Sequence, residues 1–247
     1  MHDVLFEQGR RSMRWLNRLR DPQWASPVAT HQPVLWEIAN RSTLPILEFG
    51  CGEGSTRMLH QVSQRRNVPL ITFETDPSWM ARYAPGMESP LHQFRLVSSW
   101  EDELTSSEWD DYRCGLAFVD QAPWEARVIT IERFRFTADY VILHDSLYYP
   151  VHGLMGKSVR DLVGPTDVGV RTYDDMFTSY KEFFPQEPWP LPDGPPTLLG
   201  SNVHDCNIEV DPAALSPPRW ARRPILAYHA AAGRVGQSLR KTGRSAR

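Results

Sequence analysis

The stretch 46-ILEFGCGEGSTRML-59 decides the fold, because an apolar run ends in a carboxylate and three glycines follow within the next residues. The apolar residues 44–49 predict a short buried strand, and residues 55–66 have the apolar spacing of a helix. Glycine allows backbone conformations with positive φ and lets a ligand approach the main chain without meeting a Cβ atom. This order of strand, glycine turn and helix predicts a ligand site at the carboxyl end of the strand.

Strand and helix patterns alternate from Leu44 to Asp145. Further strands are predicted at 69–74, 92–97, 115–120 and 139–145. Alternation with continuous apolar strands predicts a mostly parallel sheet that is covered on both faces. Two later runs, 178–184 and 197–203, predict a closing pair of strands. We therefore expect a Rossmann-like, doubly wound α/β fold with a seven-stranded sheet.

The predicted domain organisation has three parts. They are an N-terminal helical segment at 1–43, an α/β domain at 44–210 and a Pro/Arg-rich C-terminal tail at 211–247. Amphipathic patterns predict two N-terminal helices, at 3–20 and 27–41. Residues 146–176 show no clear period, so we expect a long insertion after the fifth strand. The tail is expected to be partly disordered.

Composition limits the classes of function. The 247 residues are 41% hydrophobic and carry a net charge of −3, which permits one large domain and gives no general attraction to nucleic acid. No apolar run approaches the ~20 residues of a membrane span, and the N-terminus lacks the pattern of a secretory signal. Three cysteines without paired spacing indicate neither a disulfide framework nor a zinc site. We expect a cytoplasmic protein without a membrane partner, and a homo-oligomer stays open.

The glycine turn has the pattern E-x-G-x-G-x-G, beginning at Glu48. A dinucleotide site would instead show G-x-G-x-x-G, with a pyrophosphate on the helix N-terminus. A carboxylate at position 48 would repel a pyrophosphate and suit a cationic or amino-bearing ligand. Glu74 ends the second strand, where a carboxylate can accept hydrogen bonds from both ribose hydroxyls. Together these acids favour an adenosyl-sulfonium ligand over a nicotinamide dinucleotide.

The runs ILEFGCGEGST, TFETD, GLAFVDQAPWEAR and VILHDS resemble the class I S-adenosylmethionine-dependent methyltransferases over roughly residues 44–146. The resemblance implies that the methionine part of the cofactor lies on the glycine turn, the ribose on the acid of the second strand, and the adenine near the end of the third strand. The implied cofactor residues are Glu48, Gly50, Gly52, Gly54, Ser55, Glu74, Ser98, Ser99, Trp100 and Asp120.

Chemistry-bearing side chains end the fourth and fifth strands, at Asp120 and at His144-Asp145. In one interpretation His144 is a general base that Asp120 or Asp145 orients, since an imidazole titrates near neutrality. In the other, all three residues bind a divalent ion that lowers the pKa of an acceptor hydroxyl. Metal-dependent O-methyltransferases resemble this arrangement, with an acid after the fourth strand and an acid pair after the fifth. His144 departs from that pair, and a histidine ligand would shift the preference from magnesium to a softer transition metal.

The sequence thus predicts a methyltransferase that uses S-adenosylmethionine and methylates a hydroxyl group of a small molecule or saccharide, with His144 as base or metal ligand. The run 120-DQAP-123 lacks the Asn/Asp-Pro-Pro-Tyr signature of many N-methyltransferases and disfavours methylation of DNA bases. Arg127 is expected to pair with Glu125 or Asp120, and pairing with an acidic group of a substrate is the alternative. Two alternatives stay open: a nicotinamide-dependent oxidoreductase, and a non-catalytic protein that binds the cofactor, or nucleic acid through its basic tail.

Overall fold

A computed structural model describes residues 29–146, 173–183 and 195–210 of the chain. The helix expected at 3–20, most of the insertion expected at 146–176 and the tail at 211–247 lie outside the described residues. In the part of the chain that the structure describes, no helix is long and apolar enough to cross a membrane.

Seven strands form one sheet. They are β1 (Ile46–Phe49), β2 (Leu70–Glu74), β3 (His92–Leu96), β4 (Cys114–Val119), β5 (Ala138–His144), β6 (Ser179–Phe183) and β7 (Thr197–Ser201). Their order in the sheet is β3-β2-β1-β4-β5-β7-β6. Strands β1 to β5 are parallel, whereas β7 is antiparallel to both β5 and β6. The predicted doubly wound, mostly parallel α/β sheet is therefore confirmed, and its strand order reverses between β1 and β4.

Helices connect most of the strands. They are α1 (Gln32–Arg41), α2 (Thr56–Arg66), α3 (Pro77–Tyr83), α4 (Trp100–Leu104), α5 (Trp124–Phe134) and the single turn α6 (Tyr173–Met176). Helix α1 begins at Gln32, later than the predicted start at 27, and Pro33 stands in its first turn, where a missing N–H costs nothing. Helix α3 begins directly after Asp76, whose carboxylate accepts hydrogen bonds from the N–H groups of Ser78 and Trp79.

The acidic segment 98–112 carries no helical pattern, yet it forms α4 and a 3₁₀ turn at Ser107–Trp109. Its few apolar side chains, Trp100, Leu104 and Trp109, are all buried against the sheet. Three apolar side chains in so polar a segment are too few to give the sequence a recognisable helical periodicity. Burial against the sheet, and not local propensity, therefore accounts for these two elements.

The core lies on both faces of the sheet because alternate residues of each strand point to opposite sides. On one face, Ile46 and Leu116 contact the apolar residues of α1 and α2. On the other face, Leu47 and Phe49 belong to a cluster with the aromatic side chains around α4 and α5. Burial on both faces explains the uninterrupted apolar strands. It leaves the carboxyl ends of the strands as the edge where polar side chains gather.

Candidate functional site

The glycine turn, residues 50–54, is wedged between the end of β4 and the start of α1. Gly50 has a φ of 89°, and a Cβ atom there would lie 2.7 Å from the carbonyl oxygen of Asp120. A Cβ atom on Gly54 would lie 2.7 Å from the Cβ of Ala29 and 2.9 Å from Nε2 of His31. Contact between separate parts of the chain therefore requires glycine at both positions.

Glu48 supports this turn from within the sheet. Its carboxylate is fully buried, with Oε1 accepting a hydrogen bond from the Thr56 hydroxyl at 3.0 Å and Oε2 one from the Thr72 hydroxyl at 2.6 Å. The Thr56 oxygen in turn accepts a hydrogen bond from the N–H of Gly52 at 2.8 Å. Burial raises the pKa of Glu48 to about 7, although hydrogen bonds from Ser55 and the two threonines oppose the rise. The carboxylate contacts the turn through Thr56, and its role in holding a cofactor stays a prediction.

A chain of polar groups continues from Thr72 away from the turn. The Thr72 hydroxyl oxygen lies 2.9 Å from Nε2 of His92, and Nδ1 of His92 lies 3.1 Å from Nδ1 of His60 on α2. Burial lowers the pKa of His92 to about 3, so this ring is neutral at physiological pH. A neutral His92 donates from Nε2 and accepts at Nδ1, which joins the buried carboxyl of Glu48 to the half-buried His60. No pattern in the sequence predicts this series of polar contacts.

Glu74 lies where β2 meets the glycine turn, as the sequence predicts. Its Oε1 accepts hydrogen bonds from the N–H groups of Thr75, at 2.7 Å, and Asp76, at 3.0 Å. Its Oε2 accepts one from the N–H of Cys51 at 3.2 Å, and Trp79 of α3 donates its indole N–H to the carbonyl oxygen of Cys51 at 2.6 Å. An ionised carboxylate has about four acceptor positions, so ribose hydroxyls would share Glu74 with these backbone groups. That role stays a prediction.

The residues predicted to lie near adenine have structural roles of their own. The Ser99 hydroxyl caps α4 by accepting a hydrogen bond from the N–H of Asp102 at 3.0 Å. Trp100 is buried, its ring lies edge-on to Phe49, and its indole N–H donates to the carbonyl oxygen of Ala122 at 2.7 Å. Trp100 thereby holds the segment that follows β4, and contact of Ser99 or Trp100 with adenine stays a prediction.

Asp120, His144 and Asp145 come together at the carboxyl ends of β4 and β5. One ligand-type atom from each lies within 4.8 Å of the others. Nε2 of His144 lies 3.2 Å from Oδ1 of Asp145. Asp145 has a φ of 55°, a left-handed conformation that Asp tolerates better than most residues. This turn brings the carboxylate of Asp145 back onto the imidazole of the residue before it.

Arg127 of α5 ties this group together. Its Nη2 donates to Oδ1 of Asp120 at 2.9 Å, its Nε to the carbonyl oxygen of Gln121 at 2.7 Å, and its Nη1 to the carbonyl oxygen of His144 at 2.8 Å. The guanidinium also lies 3.8 Å from the centre of the Trp124 ring. The expected structural pairing of Arg127 with an acid is therefore present, and its partner is Asp120.

The two carboxyl groups are hard to ionise. Burial raises the pKa of Asp120 to about 7, even though Arg127 stabilises the charged form. Burial and the charge of Asp120 raise the pKa of Asp145 to about 6. Both groups therefore change protonation in the range where an imidazole works as a base.

The donor types of this group suit a divalent transition ion, but their present contacts favour a base. Oδ1 of Asp120 is held by Arg127, whose positive charge opposes a nearby cation. Nε2 of His144 faces Asp145. Both contacts would have to change before an ion could bind these atoms, so the present arrangement favours the base over the metal.

His31, at the start of α1, also belongs to this neighbourhood. Its ring centroid lies 4.3 Å from that of His144 and 4.9 Å from that of Phe118. The next residue, Gln32, donates from Nε2 to the carbonyl oxygen of Gly54 at 2.8 Å. Burial is the main cause that lowers the pKa of His31 well below its ordinary value. The sequence offers no signal for this placement, because the docking of α1 depends on residues that are distant along the chain.

No family model matches the chain, and no curated protein matches it significantly. Similar solved structures include human methyltransferase-like protein 13 in complex with SAH (13% identity, 79% of this chain, 94% of that chain, TM-score 0.46). A spermidine synthase in complex with the transition-state analogue AdoDATO has 11% identity over 80% of this chain and 65% of that chain, with a TM-score of 0.46. A SAM-dependent methyltransferase from Anabaena variabilis has 20% identity over 64% of this chain and 75% of that chain, with a TM-score of 0.38. The structural neighbours thus include methyltransferases, the class that the sequence resembles, but likenesses this distant assign no activity to the chain.

Proposed function

We propose that this protein is an S-adenosylmethionine-dependent methyltransferase that methylates a hydroxyl group of a small molecule or saccharide, with His144 as general base. The observation that carries the proposal is the pair of His144 and Asp145 beside Asp120, on the rim that also holds the glycine turn. The backbone of Asp120 lies so close to Gly50 that a Cβ atom would not fit between them. A base on this rim is next to the turn on which the resemblance places the cofactor.

In this proposal, residues of the chain take up the proton that the acceptor hydroxyl loses. When bound, the cofactor supplies a methyl group as an electrophile. When the proton of a neutral His144 is on Nε2, the nitrogen that faces Asp145, the lone pair is on Nδ1, and Nδ1 is the atom we assign to accept the proton of the acceptor hydroxyl. Asp145, 3.2 Å away, stabilises the imidazolium that results. A hydroxyl needs such a base at neutral pH, whereas an amine reacts once it has lost its proton, and this favours oxygen as the acceptor atom.

One observation supports a second candidate. Asp120, His144 and Asp145 offer three ligand atoms within 4.8 Å of one another, so a divalent ion would bind here if Arg127 released Asp120. Such an ion would lower the pKa of the acceptor hydroxyl in place of the base. Turnover that EDTA abolishes and a transition-metal ion restores would favour this candidate over the base.

The test begins with calorimetry of the purified protein with S-adenosylhomocysteine. Methyl-labelled S-adenosylmethionine is then incubated with a panel of glycosides and phenols, and label in the product is counted. We expect His144→Ala to lower turnover at least ~100-fold, the scale of a positioned base, with little change in the Kd for S-adenosylhomocysteine.

His204→Ala is the matched control. His204 lies beside Asp139, near the opposite end of β5, and its side chain is exposed. This variant should keep the turnover of the wild type. Near-normal turnover in His144→Ala would refute the base. A wild-type protein that binds neither form of the cofactor, but binds NADH with a change in nicotinamide fluorescence, would refute the whole assignment in favour of an oxidoreductase.

A further inference from the structure

We propose that Arg127 is a positioning residue for methyl transfer, because its guanidinium holds the main chain of the base His144 at a fixed place relative to the glycine turn. This inference rests on the proposed function and deepens it. It gives Arg127 no contact with the cofactor or the acceptor, since the residue acts through the main chain of its neighbours.

The first observation is that the ladder between β4 and β5 stops just before the residues that carry the chemistry. Its register pairs end at Val119 and Leu143. Asp120 and His144 come directly after these two residues, so their separation depends on other contacts. A misplacement of about 1 Å between reacting groups can cost on the order of 100-fold in rate. The contacts that set this separation therefore matter for the proposed reaction.

The second observation is that Arg127 joins the two strand ends. Its Nε donates to the carbonyl oxygen of Gln121 at 2.7 Å, and its Nη1 donates to the carbonyl oxygen of His144 at 2.8 Å. The side chain is only 7% exposed, and its guanidinium carbon lies 3.8 Å from the centre of the Trp124 ring. A planar guanidinium presents its N–H groups in a rigid fork. The two carbonyl oxygens are therefore held at one separation.

The third observation is that the residues after β4 touch the glycine turn. A Cβ atom on Gly50 would lie 2.7 Å from the carbonyl oxygen of Asp120 and 2.8 Å from the Cα of Gln121. The resemblance places the methionine part of the cofactor on this turn. A shift of His144 relative to Gln121 would therefore change the distance between the base and the methyl group. The two hydrogen bonds of Arg127 oppose such a shift.

A simpler role for Arg127 is to neutralise Asp120, whose Oδ1 lies 2.9 Å from Nη2. Charge pairing alone needs only a cation, and lysine supplies one. Contact with a carboxylate and two carbonyl oxygens at once needs the guanidinium fork, which the compact ammonium group of lysine does not reproduce. Arg127→Lys therefore separates the positioning role from the pairing of charge.

The experiment compares Arg127→Lys with Arg133→Lys, the same substitution near the other end of α5, where Arg133 pairs with Asp110 at 2.7 Å. Kinetics are measured with labelled S-adenosylmethionine and the acceptor that the panel of glycosides and phenols identifies. Arg127→Lys should lower kcat roughly 10- to 100-fold, with the KM of the acceptor and the Kd of S-adenosylhomocysteine unchanged. Arg133→Lys should keep the wild-type values.

A second measurement does not depend on turnover. The ¹³C chemical shifts of the carbonyl carbons of Gln121 and His144 respond to the hydrogen bonds that their oxygens accept. Arg127→Lys should move these shifts, whereas Arg133→Lys should leave them in place. Shifts that stay unchanged in Arg127→Lys would show that the guanidinium does not hold these groups in solution, and the inference would be overturned.

Three kinetic results would also overturn the inference. Wild-type kcat with a lower free energy of unfolding would mean that Arg127 only supports the fold. A higher KM of the acceptor with wild-type kcat would mean that Arg127 binds the acceptor. A Kd of S-adenosylhomocysteine that weakens as much as kcat falls would mean that it acts on the cofactor.

If Arg127→Lys does not fold, the wild type decides the matter. A guanidinium held by three acceptors should give separate, slowly exchanging N–H signals in NMR spectra, and averaged signals would overturn the inference. A wild type that transfers no methyl group would refute the proposed function. An active wild type with unchanged kcat in Arg127→Lys would refute this inference alone.

Discussion

Replacing Glu48 by Gln should change how the stability of the protein depends on pH. The ordinary pKa of this carboxyl is 4.5, and burial raises it to about 7 in the folded protein. Between these values the unfolded chain has released the proton while the folded protein still binds it, so the free energy of unfolding falls as pH rises. At about 1.36 kcal/mol per pH unit, the window from 4.5 to about 7 amounts to about 3 kcal/mol. This penalty is absent below pH 4.5 and complete above pH 7.

Glutamine removes the titration while keeping the shape and most of the contacts. In the wild type, the hydroxyl groups of Thr56 and Thr72 both donate to the carboxylate. In the variant, the carbonyl oxygen of glutamine can accept from one of these hydroxyls, and its NH₂ group can donate to the oxygen of the other. We expect Glu48→Gln and the wild type to have similar stability at pH 5. At pH 8 the free energy of unfolding of the variant should exceed that of the wild type by up to about 3 kcal/mol.

Urea unfolding curves of both proteins at pH 5 and pH 8 measure this difference. Glu101→Gln, which removes an exposed acid from α4, controls for the loss of one negative charge. A difference between wild type and Glu48→Gln that is the same at both pH values would show that the carboxyl does not change protonation in this window. The assignment of the burial effect to Glu48 would then be wrong.

Two further predictions concern contacts made by the site. Gly50→Ala should destabilise the protein more than Gly86→Ala. Both glycines have a positive φ, so a Cβ atom costs about 1–2 kcal/mol at either position. Only at Gly50 would the Cβ atom also lie 2.7 Å from the carbonyl oxygen of Asp120. Urea unfolding of the two variants isolates the contact, and equal losses would contradict it. Arg127→Met should lower the free energy of unfolding by up to about 3 kcal/mol at pH 8, because it leaves the partly buried charge of Asp120 unpaired. The loss should shrink at pH 5, where Asp120, with a pKa of about 7, is protonated; a loss independent of pH would refute the pairing.

The strand positions and the ends of the strands were predictable from the sequence. Apolar runs buried on both faces show where the parallel strands lie, and in such a sheet the carboxyl ends share one edge. That rule alone placed Asp120 next to His144 and Asp145, and Glu74 at the glycine turn, and the structure has these positions. The closing strands β6 and β7 also followed from short runs in the sequence, whereas their antiparallel direction was not predicted and appears only in the structure.

The sequence by itself determined the alternation of elements and the chemical character of the rim, because periodicity and strand-end residues are local properties. Only the tertiary structure decided that Arg127 pairs with Asp120 and not Glu125, that the Glu48 carboxylate binds Thr56 and Thr72, and that His31 lies against Gly54 and His144. Each of these contacts joins side chains that belong to different parts of the fold. Which side chains meet depends on how the helices pack on the sheet. Docking is set by the fit of the whole core, which no single stretch of the chain encodes.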